Sequence, residues 1–255
     1  MKNENLLYLE SSIKIAKHKS HEVINETRKI VGEFFSEKDS FYSDMHTDEF
    51  REIILNTQKK LNHLNITSKI VLQIIDDIRN YIKNDNFLIQ SNTYLRVSRP
   101  IKESNDSIGW HRENFYAPNA DEYINVWTPI MGVDEFNTIN FIPQSQNILN
   151  ERIKTINIED KNTKKYSSGH KIGLMYSPKK IVSGVDFAKK KPMIVPYYSS
   201  SIFPGNLIHG AAGNESDKIR FSLDFRIIPE KYFNKNLNKK KHFASGKNYF
   251  ERFNI

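Results

Sequence analysis

Apolar residues recur at helical spacing through the first third of the chain. Leu6, Leu7, Leu9, Ile13 and Ile15 open an apolar helix, and Val23, Ile24, Ile30, Val31, Phe34 and Phe35 keep the three-and-four step that gathers them on one face. Thr47 or Asp48 stands where a cap is needed for a helix carrying Phe50, Ile53, Ile54, Leu55 and Leu61. Thr67 or Ser68 stands likewise before a helix running through Ile70, Val71, Ile74, Ile75, Ile78, Tyr81 and Ile82. The period then falls to two. Asn92, Tyr94, Arg96 and Ser98 alternate with Thr93, Leu95 and Val97, and further strand-like runs are Tyr123 to Ile130, Thr138 to Ile142, Ile172 to Tyr176, Met193 to Tyr197, Asn206 to His209 and Lys218 to Ile228.

Helices followed by many short strands predict an α+β fold, with helices buttressing a β-sandwich or barrel. The chain reads as a single domain over 1–255: mainly helical support over 1–90, a β core over 91–228, and a basic tail over 229–255 that includes Lys239, Lys240 and Lys241. Residues 150–192 are rich in lysine and weakly patterned, with Gly169, Gly173 and Gly184 as hinge candidates. They are expected to be loops with little buried area, carrying a mobile lid.

Composition narrows the chemistry. With 16 Phe, 12 Tyr and 2 Trp in 255 residues the chain can build a sizeable core. The absence of cysteine excludes disulfides, thiolate-bound zinc, iron–sulfur clusters and thiol nucleophiles, so any metal must be held by histidine and carboxylate. No apolar run is long enough to span a membrane and the start lacks a signal-peptide pattern, so a soluble cytoplasmic protein is expected. The net charge of +8 reads first as a lysine-rich solvated surface and second as a preference for an acidic partner.

Three stretches carry chemistry. In Gly109-Trp110-His111-Arg112-Glu113, residues two apart on a strand share a face, so His111 and Glu113 can reach one metal ion while Arg112 points away. Trp110 is assigned to the core. Pro204-Gly205-Asn206-Leu207-Ile208-His209-Gly210 presents a second histidine at a strand end. Together they make two histidines and one carboxylate, a donor set that leaves adjacent coordination positions open. In Ile219 to Ile228, Arg220, Ser222, Asp224 and Arg226 share one face and Phe221, Leu223 and Phe225 the other. A polar face with two arginines turned into a closed sandwich needs an anion there, and a guanidinium grips a carboxylate with two parallel hydrogen bonds. By strand parity Tyr94, Arg96, Asn125 and Trp127 are also pocket residues.

These motifs resemble the iron(II)/2-oxoglutarate-dependent oxygenases, nearest the phytanoyl-CoA dioxygenase-like branch. His111-x-Glu113 matches the His-x-Asp/Glu motif, His209 the distal histidine, and Arg220, eleven residues on, the arginine that binds the oxo acid. Asn125 to Ile130 and Asn140 to Gln146 resemble that branch's next strand and its Ile-Pro-Gly-Ser-His turn, from which this chain departs at Gln144 and Gln146. The likeness covers about residues 90–228. It implies a double-stranded β-helix (jelly-roll, cupin-like) core, iron(II) on His111, Glu113 and His209, and 2-oxoglutarate and O2 as co-substrates. It further implies Arg220 on the far carboxylate with Ser222, Asn125 and Tyr94 assisting, and Arg96, Trp127 and Arg226 toward the substrate. The implied reaction oxidises a small polar metabolite, sugar-like or anionic, and releases succinate and CO2. Glu113 supplies the carboxylate that a halogenase of this group lacks. Arg220-x5-Arg226 also resembles the AlkB-like nucleic-acid demethylases, and a non-catalytic or isomerising cupin-type sugar-binding module is the alternative from another class.

Overall fold

The computed structural model describes residues 13–100, 106, 108–116, 120–158, 164–174, 179–211, 213–238 and 247–253. Five helices lie in the first third of the chain: α1 (Glu22–Phe34), α2 (Asp39–Ser43), α3 (Thr47–His63), α4 (Ile66–Gln73) and α5 (Ile75–Ile82). The expected stripes are buried, with Val23, Ile24, Ile30 and Val31 on α1 and Phe50, Ile54 and Leu61 on α3. The ends differ from expectation. Thr47 is the first helical residue after an extended His46, and neither Thr47 nor Asp48 caps; Asp48 and Glu49 instead put negative charge in the first turn. Thr67 is buried inside α4, which starts after Asn65 in the left-handed conformation. The single helix expected through Ile82 is broken at Ile74 into α4 and α5.

A larger correction concerns Ile13 and Ile15. Ile15 belongs to strand β1 (Lys14–Lys17), which Ile13 directly precedes, and neither is helical, while Leu6, Leu7 and Leu9 lie outside the described residues. A short apolar run fits either period, and here the edge of strand β9 (Ser199–Pro204) supplies backbone partners that a helix would leave unpaired.

The remaining strands are β2 (Phe87–Gln90), β3 (Tyr94–Ser98), β4 (Ile124–Met131), β5 (Ile139–Phe141), β6 (Lys154–Asn157), β7 (Lys179–Ser183), β8 (Lys191–Pro192), β10 (His209–Ala211), β11 (Arg220–Pro229) and β12 (Phe250–Arg252). The principal sheet is antiparallel in the order β1-β9-β4-β11-β2-β12, with β3 also paired to β11. Its register decides where the chemistry sits. Arg226 lies opposite Asn125, Asp224 opposite both Trp127 and Tyr94, and Ser222 opposite Arg96, so these polar side chains share one face. Phe221, Leu223 and Phe225 point the other way, into a core built with Leu95, Val97 and the helices, where the Phe35 and Phe221 rings meet edge-on at 4.9 Å. Each large apolar side chain sealed there contributes roughly 1.5–3 kcal/mol, which is what clamps the helices to the sheet and leaves the polar face on the opposite side.

A second sheet, β10-β5-β8, faces that polar side, and Ile139, Phe141, Met193 and Leu207 pack with Trp127 and Phe203 between the two sheets. Three expected strands change here. Asn206 to Ile208 form the turn before β10, Met193 to Tyr197 carry no ladder beyond the Met193 amide on the Ile139 carbonyl, and Ile172–Leu174 form a turn with Gly173 at φ +84°. Tyr176 lies outside the described residues.

Residues 150–192 are not all loop, although few of the described ones are buried. Strands β6 and β7 pair antiparallel with Thr155 facing Ile181, and Ile153 and Ile181 are buried against Ile142 and Ile208. A short helix, α6 (Ser168–Lys171), docks on α3, where the Ser168 hydroxyl donates to Asp48 (2.5 Å) and accepts from Arg51 (3.2 Å). The basic tail is likewise partly structured, since β12 pairs with β2 and Phe250 is buried; Lys239, Lys240 and Lys241 lie outside the described residues. Among the described residues no helix is long and apolar enough to cross a membrane.

Behind β1, the buried His18 Nε2 lies 2.8 Å from the Ser200 hydroxyl, which in turn lies 2.7 Å from that of Thr128. Burial, helped by His21, pushes the His18 imidazole down to about 4. Its folded value is thus below the ordinary 6.5, the unfolded chain takes up the extra proton, and stability is lost as pH falls from about 6.5 toward 4. Through this one group the loss is at most about 1.4 kcal/mol per pH unit. Denaturant melts at pH 7 and pH 5 should show it. His18→Gln should flatten the slope, and an unaltered slope in that variant would remove His18 from the acid response.

Candidate metal centre

His111 and His209 face each other through backbone pairing. The His111 amide donates to the His209 carbonyl (2.9 Å) and the His209 amide to that of His111 (3.1 Å), an isolated antiparallel bridge. Directly opposed residues project to the same side, which brings the ring centroids to 4.3 Å. Gly210 permits this approach, since a Cβ there would stand 2.8 Å from the Trp110 amide nitrogen.

Glu113 reaches the site by a different route from the one expected. Its backbone is not in a strand: it opens a 3₁₀ turn, Glu113–Phe115, pinned by its amide on the Gly205 carbonyl at 2.9 Å. Arg112 does point away, donating to the Ile148 carbonyl (2.8 Å), to Asn150 Oδ1 (2.7 Å) and to the Ser145 carbonyl. Trp110 packs against Phe187 beside the cluster of Ile142, Ile153, Ile181 and Ile208, in agreement with its assignment to the core. The donor atoms of His111, Glu113 and His209 lie within 4.8 Å of one another, and all three residues are buried.

Each imidazole is oriented by its own chain. His111 Nδ1 lies 2.7 Å from the Gly109 carbonyl, and His209 Nδ1 lies 2.9 Å from the Leu207 carbonyl. A carbonyl only accepts, so both Nδ1 atoms carry the proton and both Nε2 atoms present lone pairs, the tautomer a metal ligand requires. The His111 Nε2 is buried with no hydrogen-bond partner. From Glu113 Oε1 the two Nε2 atoms lie at 3.8 and 3.9 Å, too far for hydrogen bonds and suited to a cation between them. Burial, with His111 beside it, pushes His209 down to about 3. Burial alone would raise the Glu113 carboxyl, but Arg226 and the two imidazoles outweigh it and hold the group well below the usual range. Two imidazoles and a carboxylate therefore converge, a donor set that fits a divalent first-row metal.

The polar face of the principal sheet walls this cluster. Arg226 pairs with Glu113 Oε1 (2.9 Å) and Asp224 (2.8 Å), and Arg96 pairs with Asp224 (2.6 Å). Arg220 is fully buried, donates through Nη1 to the Asn137 carbonyl (3.0 Å), and leaves Nε without a partner. Burial, and then repulsion from Arg96, brings its guanidinium down to about 10. Asn125 Nδ2, Trp127 Nε1 and the Ser222 hydroxyl are also buried without partners. Arg96, Asn125, Trp127, Arg220 and Arg226 line one cavity with His111 and His209, whose apolar wall includes Ile108, Ile139 and Phe203. Tyr94 stands behind that wall, its ring 4.8 Å from the Arg96 guanidinium and 6.0 Å from that of Arg226. Sequence reasoning placed Asp224 on the correct face without giving it a role, and it did not find Asn137, whose contribution is a backbone carbonyl.

No protein-family model matches the chain, and no curated protein matches it by sequence. Solved structures do. The non-haem monooxygenase ThoJ in its apo form superposes with a TM-score of 0.52 at 14% identity, over 88% of this chain and 76% of that one. EvdO2 from Micromonospora carbonacea var. aurantiaca, complexed with 2-oxoglutarate, gives 0.59 at 10% identity over 90% and 91%. The fold is shared with these proteins. A third solved structure, the epimerase SnoN in complex with Fe3+, α-ketoglutarate and nogalamycin RO, gives 0.52 at 9% identity over 99% and 98% of the two chains. At such identities the likeness is one of fold alone, and the chemistry must be argued from the side chains of this chain.

The hydrogen bonds make a spectroscopic prediction. Long-range 1H–15N correlations of the metal-free protein should show both the His111 and the His209 ring protonated at Nδ1, and His209 should remain neutral at pH 5. Protonation at Nε2 in either ring would contradict this arrangement.

Proposed function

We propose that residues 1–255 form a single oxygenase domain that uses iron(II) and 2-oxoglutarate to oxidise a small polar metabolite. The two facing sheets are read as the halves of a double-stranded β-helix, with the N-terminal helices as its buttress. The observation that carries this reading is the pairing of two features in one buried cavity. Two Nε2 lone pairs and one carboxylate converge within 4.8 Å, and beside them stands a buried guanidinium with an unpartnered Nε.

His111, Glu113 and His209 would hold the metal, and Arg220 would receive the far carboxylate of the oxo acid. When bound, iron(II) and 2-oxoglutarate supply the oxidising power from O2, with succinate and CO2 as by-products. The chain's own residues bind, orient and exclude. Arg220 is the available cation because both Arg96 and Arg226 are engaged by carboxylates. Ser222, Asn125 and Trp127 add unpartnered donors suited to an oxygen-rich ligand. Ile108, Ile139 and Phe203 keep water from the cavity wall, which strengthens every charge contact inside. The substrate is taken as sugar-like or anionic because the polar wall is built mainly of donors. The nucleic-acid reading loses its support, since the second arginine of its motif, Arg226, is bound to Glu113 and Asp224.

The test is succinate release by the purified chain, dependent on iron(II), O2 and 2-oxoglutarate. His111→Ala and His209→Ala should abolish both metal binding and turnover. Arg220→Ala leaves a buried carboxylate unpaired, a loss on the order of 3 kcal/mol or roughly a hundred-fold in 2-oxoglutarate affinity, with metal affinity little changed. A larger loss of 2-oxoglutarate affinity in Arg226→Ala would put the co-substrate on the wrong arginine.

A further inference from the structure

We propose that Arg96, Asp224 and Arg226 form a buried relay that positions Glu113 for the metal and ties it to the turn at Ile172–Gly173. The proposal rests on the triad reading above and adds three positioning residues to it. The links are continuous. Arg96 Nη1 donates to the carbonyls of Ile172 (3.4 Å) and Gly173 (3.1 Å), its Nε to Asp224 Oδ1 (2.6 Å) and its Nη2 to Oδ2 (3.4 Å). Arg226 then bridges Asp224 Oδ2 (2.8 Å) and Glu113 Oε1 (2.9 Å) with its two terminal nitrogens.

Three observations make this more than a set of ion pairs. First, the oxygen that Arg226 grips is the same Oε1 that faces both imidazole Nε2 atoms, so the relay fixes the atom that would bind the metal. A glutamate side chain has several rotatable bonds, and Glu113 springs from a 3₁₀ turn and not from a rigid strand. Without an anchor its carboxylate has no reason to hold one rotamer. Second, charges alternate along the chain Arg96, Asp224, Arg226 and Glu113, so each buried charge meets an opposite one. Third, the far end is shaped for contact. Gly173 adopts φ +84°, and a Cβ there would stand 2.3 Å from the Tyr94 ring that lies against both guanidinium groups. Only glycine lets this turn sit on the relay.

A shared network of this kind couples its two ends reciprocally: metal binding steadies the turn, and the docked turn favours metal binding. The test uses the full chain with Co(II), whose visible spectrum reports ligand geometry, and trypsin cleavage after the exposed Lys171 beside the turn. In the unmodified protein Co(II) should give a ligand-field spectrum and slow that cleavage. Asp224→Asn, which cuts the relay at its middle and changes no metal ligand, should weaken Co(II) binding about ten-fold, alter the spectrum and abolish the metal-dependent protection. Gly173→Ala, at the far end, should do the same to a smaller degree and carries the test if Asp224→Asn does not fold. Arg226→Lys should not restore the wild-type spectrum, because one ammonium cannot reproduce the two-ended bridge. If Co(II) binds the unmodified protein but affinity, spectrum and protection are the same in Asp224→Asn and Gly173→Ala, the relay is wrong and the triad stands. If the unmodified protein binds no Co(II), the triad reading fails and the relay falls with it.

Discussion

The ion pair between Glu113 and Arg226 governs this molecule. A carboxylate buried between two sheets is costly unless an opposite charge and hydrogen bonds meet it there. Arg226 supplies both at 2.9 Å, but an arginine in the same place is itself costly, so Asp224 answers it and Arg96 answers Asp224. The demand of one buried anion therefore propagates along the polar face of β11 until it reaches backbone carbonyls at Ile172 and Gly173. Arg220 stands at the end of the same face and departs from this pattern: its Nε is buried and unpartnered. That asymmetry separates the arginines that organise the cavity from the one suited to bind a ligand.

The architecture gives that face a setting. Phe221, Leu223 and Phe225, alternating with the charged residues, are sealed by the helices, so the strand cannot roll over without exposing its core side. The second sheet covers the polar side and brings in His209, while the bridge between His111 and His209 ties the metal motif to it. Among the described residues the helices contribute no metal-ligand candidate; their part is to hold the register of β11, which sets the polar face beside the site.

Much of this was legible in the sequence. Period two with charges on one parity and aromatics on the other marks Arg220 to Ile228 clearly, because a strand buried on both sides carries charge only where something answers it. His111, Glu113 and His209 were legible as residue types. The way they meet was not: Glu113 arrives by a 3₁₀ turn, and the histidines by a two-residue bridge whose pairing is long-range. The pairing of β6 with β7 is hard to read because outward Ile156 and Val182 and several lysines blur its alternation. β1 was misread because four residues fit helix and strand equally well, and the break at Ile74 leaves no proline or glycine to announce it. Residue type and local period reveal which side chains can do chemistry; who partners whom depends on register between distant strands.

The most direct measurement is an anaerobic titration of the metal-free protein with iron(II), followed by 2-oxoglutarate. One iron should bind per chain, and 2-oxoglutarate should then bind tightly with a visible charge-transfer absorption that is absent without iron. Binding of 2-oxoglutarate that is equally tight without the metal, or no iron bound at all, would contradict the assignment of His111, Glu113 and His209 as the metal site.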